Sequence, residues 1–160
     1  MHKYFILCLT LTLLTTLFIS PAAHAKSSLT PESLITATNI ERIKHNLSPL
    51  VVDDRLSTVA QKRANEMAFY NYFSHTTSTG KPFWYRVQDT GYSFATTGEN
   101  LATDFTDATS TVVAWMNSPT HRGNILKAEY EDIGIAVARK PIEHGGGYYI
   151  VQIFGTLLAN

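Results

Sequence analysis

The sequence has almost no cysteine and no excess of either charge, and both absences limit what the protein can be. Its 160 residues contain one cysteine, Cys8, and 13 basic side chains against 13 acidic ones. A single cysteine excludes a disulfide framework within the chain, so packing alone must stabilise the fold. With a formal net charge of zero, the chain lacks the excess of positive charge that favours binding to nucleic acid or to an anionic membrane surface. We therefore expect no nucleic-acid partner.

The chain also lacks a hydrophobic run that is long enough to span a membrane. The extended apolar stretch Tyr4 to Ile19 follows the basic Lys3, contains several threonines, and is shorter than the roughly 20 apolar residues that a span needs. It leads into the small-x-small pattern Ala23-His24-Ala25, which is typical of a secretory cleavage site. The alternative is an uncleaved anchor. We predict a signal peptide over residues 1–25 and a secreted protein, extracellular or periplasmic, without a transmembrane anchor after cleavage.

Residues 26–160 are predicted to form one domain that contains no cysteine. This part of the chain has no internal repeat, no low-complexity tract and no linker long enough to separate two domains. Its length of roughly 135 residues is sufficient for a sizeable hydrophobic core. We expect this domain to be a monomer.

Helical signals dominate the first part of this domain. Thr30-Pro31-Glu32 combines an N-cap residue, a proline and an acid, as at the start of a helix. Apolar residues from Leu56 to Ala68 recur with helical spacing, and the stem of Arg63 is expected at the edge of their stripe. Thr106 is the predicted cap of a later helix. The predicted helices cover residues 30–46, about 54–71, 83–89 and 107 to about 117.

Asn39 and Arg42 lie three residues apart, on one face of the first predicted helix. One interpretation is a solvated polar pair. The other is that these two side chains fasten the helix to a neighbouring loop.

The last part of the chain reads as β-structure. Two mostly apolar runs, Asp132–Ala138 and Tyr148–Phe154, are separated by a loop that contains Pro141 and three consecutive glycines. This pattern predicts two antiparallel strands, and residues 92–97 are predicted as loop or strand. Helices followed by a hairpin favour an α+β fold, with helices packed on a small antiparallel sheet.

Three short segments place polar side chains at predicted element boundaries. They are Phe73-Ser74-His75, a predicted turn at Gly98-Glu99-Asn100, and the segment Trp115–Leu126, in which Pro119 is expected to break a helix before His121. We predict that the three segments meet in one cleft. Two imidazoles and a carboxylate could hold zinc with one position open for water, serve in general acid–base chemistry, or form a structural cluster.

The chain resembles the CAP superfamily of cysteine-rich secretory proteins, antigen 5 and pathogenesis-related 1, also called the SCP domain. It is most similar to the short, cysteine-free bacterial branch. The resemblance extends from about Leu34 to Phe154, and it implies an α-β-α sandwich. Besides the three segments above, it is carried by Asn39–Arg42, Pro49-Leu50, Leu56–Met67, Leu101-Ala102, Ile133–Ile135 and Gln152–Gly155.

This resemblance implies a central cleft lined by two histidines and two acids. By position the histidines are His75 and His121, which hold zinc directly in the members that bind metal, and the first acid is Glu99. In animal and plant members the second acid follows a tryptophan by three residues, where this chain has Ser118. Bacterial members often carry an acid just before the Ile-Gly pair. That acid is Asp132 here, and a surface acid at a strand start is the alternative interpretation.

Two functions of different classes follow. In the first, the protein is a secreted binding module. Zinc or another divalent cation would be held by His75, His121, Glu99 and Asp132, and the cleft would accept a small or lipid-like ligand or an extracellular protein partner. In the second, it is a metal-dependent, peptidase-like hydrolase with Glu99 as the catalytic general base. The sequence has no Ser-His-Asp order and no nucleophile elbow.

Overall fold

The computed structural model describes residues 27–159, so the predicted signal peptide lies outside the described residues. The helices are Pro31–Lys44 (α1), Asp54–Tyr70 (α2), Trp84–Gln88 (α3), Ala108–Asn117 (α4) and Pro119–Ile125 (α5). The strands are Val51–Val52 (β1), Phe94–Thr103 (β2), Asp132–Arg139 (β3) and Tyr148–Leu157 (β4). A single 3-10 turn, Ile142–His144, lies between β3 and β4.

The four strands form one mixed sheet in the order β1-β3-β4-β2. The predicted pairing of β3 with β4 is confirmed, and Ile135 lies opposite Gln152. The sheet is larger than the predicted hairpin because β1 pairs with β3 in parallel and β2 pairs with β4 in antiparallel orientation. With only two residues, β1 is too short to give an alternating sequence pattern.

Helices cover both faces of this sheet, which confirms the expected α+β sandwich. Along β4, Val151 and Ile153 join a core that includes the apolar stripe of α2. Ile150 and Phe154, at even positions of the same strand, join a second core with α1, α4 and α5. Because both faces are covered, the strands are apolar on both sides, and this explains the nearly continuous hydrophobic runs in the sequence.

The packing of α2 on β3 depends on the absence of a side chain at Gly134. A Cβ atom at this position would lie 2.2 Å from the backbone carbon of Leu56 and 2.2 Å from the backbone nitrogen of Ser57. The predicted stripe of α2 is buried along its whole length, and Arg63 is buried with it. The expectation that the stem of Arg63 lies at the edge of the stripe is therefore wrong.

Three predicted helix boundaries also differ from the structure. The first helix ends at Lys44 rather than Asn46, which has a positive φ of 58°. Asp107, not Thr106, caps α4, because its side chain accepts a hydrogen bond of 2.8 Å from the backbone nitrogen of Ser110. Pro119 does not simply end a helix: it begins α5, where a proline lacking an N–H is well tolerated.

Arg42 is buried and fastens α1 to the chain around α5, so the solvated-pair interpretation is wrong. Its Nη1 donates to the carbonyl oxygens of Ile125 and Lys127, both at 2.9 Å. Its Nε and Nη2 donate to the carbonyls of Ser48 and Tyr130. In the same way Asn39 exchanges two hydrogen bonds with the backbone of Leu50. Arg42 therefore fixes the end of the helix that carries His121, and Asn39 ties α1 to the residue before β1.

Candidate functional site

The candidate site lies at β2, which is an edge strand of the sheet. The prediction of a turn at Gly98-Glu99-Asn100 is wrong, because these residues pair with Phe154, Ile153 and Gln152 of β4. Glycine and asparagine favour turns locally, but the ladder with β4 holds them extended. A Cβ atom at Gly98 would lie 2.3 Å from the hydroxyl oxygen of Tyr130, so any larger residue there would require the buried Tyr130 side chain to move. The extended backbone sends the side chains of Glu99 and Asn100 to opposite faces of the sheet.

On one face, Glu99 holds His75. The side chain of Glu99 is fully buried, and its Oε1 lies 2.8 Å from Nδ1 of His75, whose own side chain is 59% exposed. A carboxylate can only accept a hydrogen bond, so Nδ1 of the imidazole carries the proton. The other nitrogen of His75, Nε2, is hydrogen-bonded to no residue in the range 27–159. It is therefore the nitrogen that can meet a ligand.

Behind this pair lies the buried guanidinium of Arg63. Its Nε donates to Oε2 of Glu99 at 3.1 Å, and its Nη1 donates to the carbonyl of Thr76 at 3.1 Å and to the hydroxyl of Tyr72 at 2.9 Å. Its Nη2 donates to the carbonyl of Ser74. Burial is the largest single influence and lowers the pKa of Arg63, but the charge and hydrogen bond of Glu99, together with Tyr72 and Glu66, raise the pKa by more in sum, so the net shift is upward. Arg63 therefore remains a cation and supplies the counter-charge of the buried carboxylate.

Glu66 secures the loop that follows His75. Its Oε1 accepts hydrogen bonds from the backbone nitrogen of Ser78 at 3.2 Å, from the Ser78 hydroxyl at 2.5 Å, and from Nη2 of Arg86 at 3.2 Å. Burial raises the pKa of Glu66. The hydrogen bonds from Ser78 and the charge of Arg86 are among the contacts that together lower this pKa by more, so it lies below its ordinary value. The ionised carboxylate therefore ties this loop to α2.

His121 approaches β2 from the other face, and it lies within α5 rather than in the break that the sequence predicted. Its Nδ1 lies 2.9 Å from the hydroxyl of Ser118, and its backbone carbonyl accepts a hydrogen bond of 3.2 Å from Nδ2 of Asn100. Burial and, second, the charge of His75 lower the pKa of His121 below its ordinary value of 6.5. The imidazole is therefore neutral at pH 7, as a metal ligand must be.

Side-chain amides attach α5 to the edge of β2. Nδ2 of Asn124 donates to the carbonyl of Glu99 at 3.2 Å and to Oδ1 of Asn100 at 2.9 Å. Asn100 in turn donates to Oε1 of Gln152 at 3.0 Å, and the indole nitrogen of Trp115 donates to the carbonyl of Leu101 at 3.0 Å. These bonds satisfy backbone carbonyls along an edge that would otherwise be open. They also fix the distance between α5 and the strand that carries Glu99.

Asp132 is not brought to this cluster. It lies at the start of β3, and β4 separates it from β2. Its Oδ2 accepts a hydrogen bond of 2.6 Å from the hydroxyl of the buried Tyr92, and burial together with this bond raises the pKa of Tyr92. The partner of Asp132 is thus the buried phenol of Tyr92. The partner of His75 is Glu99, and the partner of His121 is Ser118.

A metal ion at this site would find two free imidazole nitrogens and no free carboxylate. Both oxygens of Glu99 are already engaged, by Arg63 and by His75. Within residues 27–159, no group of three or more histidine, cysteine, aspartate or glutamate side chains is arranged to hold a metal ion. The residues present therefore fit a two-histidine site whose remaining ligands come from outside the protein. Glu99 would contact the ligand His75 and would not bind the metal itself.

Sequence reasoning gave no role in the site to the side chains of Arg63, Asn100, Ser118 and Asn124. Arg63 could have been suspected because it is the one charged residue in a seven-position apolar stripe. A buried arginine requires an acid as its partner, and Glu99 was the acid that the sequence motifs had placed in the site. Nothing in the sequence alone pairs Asn100 with Asn124, since that contact joins a strand to a helix 24 residues away.

The α-β-α sandwich is the fold of solved proteins that contain an SCP domain, which belong to the CAP class. The model of the cysteine-rich secretory protein family (CAP) matches residues 35–154, and the chain belongs to this family.

Relatives of known sequence or structure share this domain. The protein YkwD of Bacillus subtilis (strain 168) is 37% identical over 115 residues, which cover 71% of this chain and 44% of YkwD. An extracellular protein containing an SCP domain from Bacillus anthracis str. Ames superimposes with a TM-score of 0.70 at 30% identity, covering 78% of this chain and 39% of that one. An outer surface protein of Borrelia burgdorferi superimposes with a TM-score of 0.72 at 27% identity, covering 79% and 92%. The chain thus spans less than half the length of the two Bacillus proteins.

Between residues 27 and 159, no helix is both long and apolar enough to cross a membrane.

Proposed function

We propose that this CAP domain is a secreted binding module that holds a divalent metal ion, such as zinc, through Nε2 of His75 and Nε2 of His121. One observation carries the proposal. Each imidazole uses its Nδ1 in a hydrogen bond within the protein, to Glu99 or to Ser118, and neither Nε2 has a partner among residues 27–159. Metal-binding histidines are characteristically oriented in this way by a hydrogen bond to their second nitrogen.

The electrostatics of the two imidazoles support the same proposal. The pKa of His121 is lowered by burial and by the charge of His75, so this ligand would need no deprotonation at neutral pH. Nitrogen donors suit zinc, whose positions not filled by protein are open to water or to another ligand. Glu99 would orient His75 and partly balance the charge of the ion, without binding it.

Zinc, when bound, would act as a Lewis acid toward water or toward a ligand of the site. The hydrolase alternative assigns Glu99 the role of general base, and its surroundings argue against that role. Its side chain has no solvent exposure, and Arg63 and His75 occupy both of its oxygens. A base needs a free oxygen within hydrogen-bond reach of the proton that it removes. The geometry therefore favours binding over proton transfer by Glu99.

Two observations support the secreted location. Residues 1–25 have the pattern of a secretory signal, and similar proteins are an extracellular protein of Bacillus anthracis and an outer surface protein of Borrelia burgdorferi. The ligand or partner of the site is then a small or lipid-like molecule or an extracellular protein. Phe73, two residues before His75, is half exposed and stacks on Tyr149 at 6.1 Å between ring centroids, so it offers an apolar contact to such a ligand.

The test is thermal unfolding of the metal-stripped protein during titration with zinc, magnesium and calcium. A ligand that binds only the folded state adds about 2.7 kcal/mol to the free energy of unfolding at a hundredfold excess over its Kd. We expect zinc to raise the Tm, and His75→Ala or His121→Ala to remove the rise. His45→Ala is the matched control, because His45 lies at the exposed end of α1. A zinc effect that persists in both site variants would refute the proposal.

A further inference from the structure

We infer that Arg63 is the positioning residue of this site: its buried guanidinium fixes His75 in place, with Nδ1 on Glu99 and Nε2 free. The inference deepens the proposed function and rests on it for its consequence for metal binding. It also makes a claim about the metal-free protein, which is tested separately.

Arg63 contacts the residue before His75, the residue after it, and the carboxylate that holds its ring. Nη2 donates to the carbonyl of Ser74 and Nη1 donates to the carbonyl of Thr76, so the residues immediately before and after His75 are both held. Nε donates to Oε2 of Glu99, whose Oε1 lies 2.8 Å from Nδ1 of His75. One guanidinium therefore fixes both the backbone and the ring of the same histidine.

The segment around His75 has other hydrogen bonds, between Ser74 and Thr76 and to Phe83, but none of them reaches the imidazole. Ser74 is only partly buried, and His75 and Thr76 are exposed, so little apolar packing orders this part of the chain. The carbonyl of His75 accepts a hydrogen bond of 3.0 Å from the backbone nitrogen of Phe83. Glu66 anchors the loop further on, at Ser78. Neither contact touches the imidazole, whose orientation is set by Glu99, and Arg63 holds both Glu99 and the backbone on either side of His75.

The arrangement requires arginine rather than lysine. The acceptors of Arg63 comprise the carboxylates of Glu99 and, at 3.4 Å, Glu66, two backbone carbonyls and the hydroxyl of Tyr72, and three different nitrogens donate to them. A planar guanidinium presents donors in a rigid fork, whereas the ammonium of lysine presents them from one atom. Arg63→Lys therefore keeps the charge that neutralises Glu99 but loses part of the set of contacts around His75.

Arg42 supplies a matched control within the same chain. It is also a buried arginine that donates to several backbone carbonyls, but its acceptors belong to the chain around α5 and not to the segment of His75. Arg42→Lys should therefore lower the free energy of unfolding by a similar amount to Arg63→Lys and leave the tautomer of His75 unchanged. Comparing the two variants separates the positioning of His75 from a general loss of stability.

The experiment is a two-bond proton–nitrogen correlation NMR spectrum of the imidazoles in metal-free, nitrogen-15-labelled protein. It is recorded at about pH 8, where an imidazole of ordinary pKa is neutral. We expect His75 to be a single tautomer protonated at Nδ1 in the wild type and in Arg42→Lys. In Arg63→Lys we expect a mixture of both tautomers. The Kd for zinc should rise about tenfold or more in Arg63→Lys, the scale seen when a metal-orienting contact is lost.

If Arg63→Lys does not fold, Arg63→Gln is used, because it removes the guanidinium but leaves Glu99 in place as the direct partner of His75. The mixed tautomers of His75 are expected in that variant too. A single Nδ1–H tautomer of His75 in whichever variant folds would overturn the inference and reduce Arg63 to a structural role. If zinc does not bind the wild type, the proposed function fails, while the tautomer of His75 still decides the role of Arg63.

Discussion

The hydroxyl of Ser118 lies 2.9 Å from Nδ1 of His121, at the position where the CAP resemblance implies an acid. A serine can donate or accept, so it can hold either tautomer of the imidazole, whereas Glu99 fixes the tautomer of His75. The two histidines of this site are therefore supported differently, one by a charged group and one by a neutral group.

Ser118→Ala removes the only side-chain partner of the His121 ring among the described residues. We expect zinc affinity to fall about tenfold, because the ring loses its orienting contact. The free energy of unfolding should fall by no more than about 1 kcal/mol, the typical net value of one neutral hydrogen bond. Zinc titration calorimetry and urea unfolding measure the two quantities. Thr120→Ala, at an exposed position of the same helix, is the control, and equal zinc affinity in both variants would contradict the role given to Ser118.

Glu99→Gln removes the closer and more deeply buried of the two carboxylates that pair with the guanidinium of Arg63, and leaves only Glu66, at 3.4 Å. Removing one member of a buried ion pair costs about 3–5 kcal/mol, and we expect a loss of that size in urea unfolding. Glu41→Gln tests the opposite case, because Glu41 pairs with Lys44 at the surface and such pairs contribute at most about 1 kcal/mol. Similar losses in the two variants would show that Arg63 and Glu99 do not depend on each other.

Glu66 should make the stability of the protein depend on pH in the acid range. Its pKa in the folded state is below the ordinary value of 4.5, so the folded state binds its proton less readily than the unfolded state does. The resulting stabilisation is present above pH 4.5 and is lost as the pH falls through the lowered pKa.

We therefore expect Glu66→Gln to be less stable than the wild type at neutral pH, and the difference to shrink steadily below pH 4.5. Urea unfolding of both proteins across this range measures it. The exposed Glu129→Gln controls for the loss of one negative charge. A difference between Glu66→Gln and the wild type that stays constant down to the most acid pH would be inconsistent with an ionised Glu66 tying the loop to α2.

Gly134→Ala should be strongly destabilising, because its Cβ would lie 2.2 Å from backbone atoms of α2 that have no freedom to move aside. Overpacking of this kind costs about 1–3 kcal/mol or more. Gly123→Ala is the matched control, since a Cβ there meets nothing within 4 Å. Within α5, alanine should stabilise by up to about 1 kcal/mol relative to glycine. Thermal unfolding distinguishes the two, and an equal Tm for both variants would contradict the close packing of α2 on β3.

The sequence predicted those parts of the fold that local periodicity determines. The stripe from Leu56 to Ala68 has helical spacing and became α2, and the two apolar runs at the end became β3 and β4. Gly98-Glu99-Asn100 was misread because its composition favours a turn, while the pairing that makes it a strand comes from β4, some 50 residues later. Such a pairing leaves no trace in the local sequence.

The site was predictable mainly from the resemblance. His75, Glu99 and His121 were chosen from CAP motifs, and their function as a metal site stays a prediction. Arg63 was misplaced because an arginine within an apolar stripe is ordinarily expected to extend to solvent, whereas here Glu99 and the other acceptors around the guanidinium keep it inside. Asp132 was included by position in the family, but its contact with Tyr92 depends on how the loop before β2 packs against β3.

The central claim is that His75 and His121 bind the same metal ion, and anomalous X-ray diffraction at the zinc absorption edge tests it most directly. Crystals of the metal-stripped protein are soaked with zinc, and the positions of anomalous peaks are compared with the side chains. The account predicts one dominant peak bonded to Nε2 of both histidines at about 2.0–2.1 Å, with Glu99 still on Nδ1 of His75. A zinc peak on other residues, or no peak beside the two imidazoles, would contradict it.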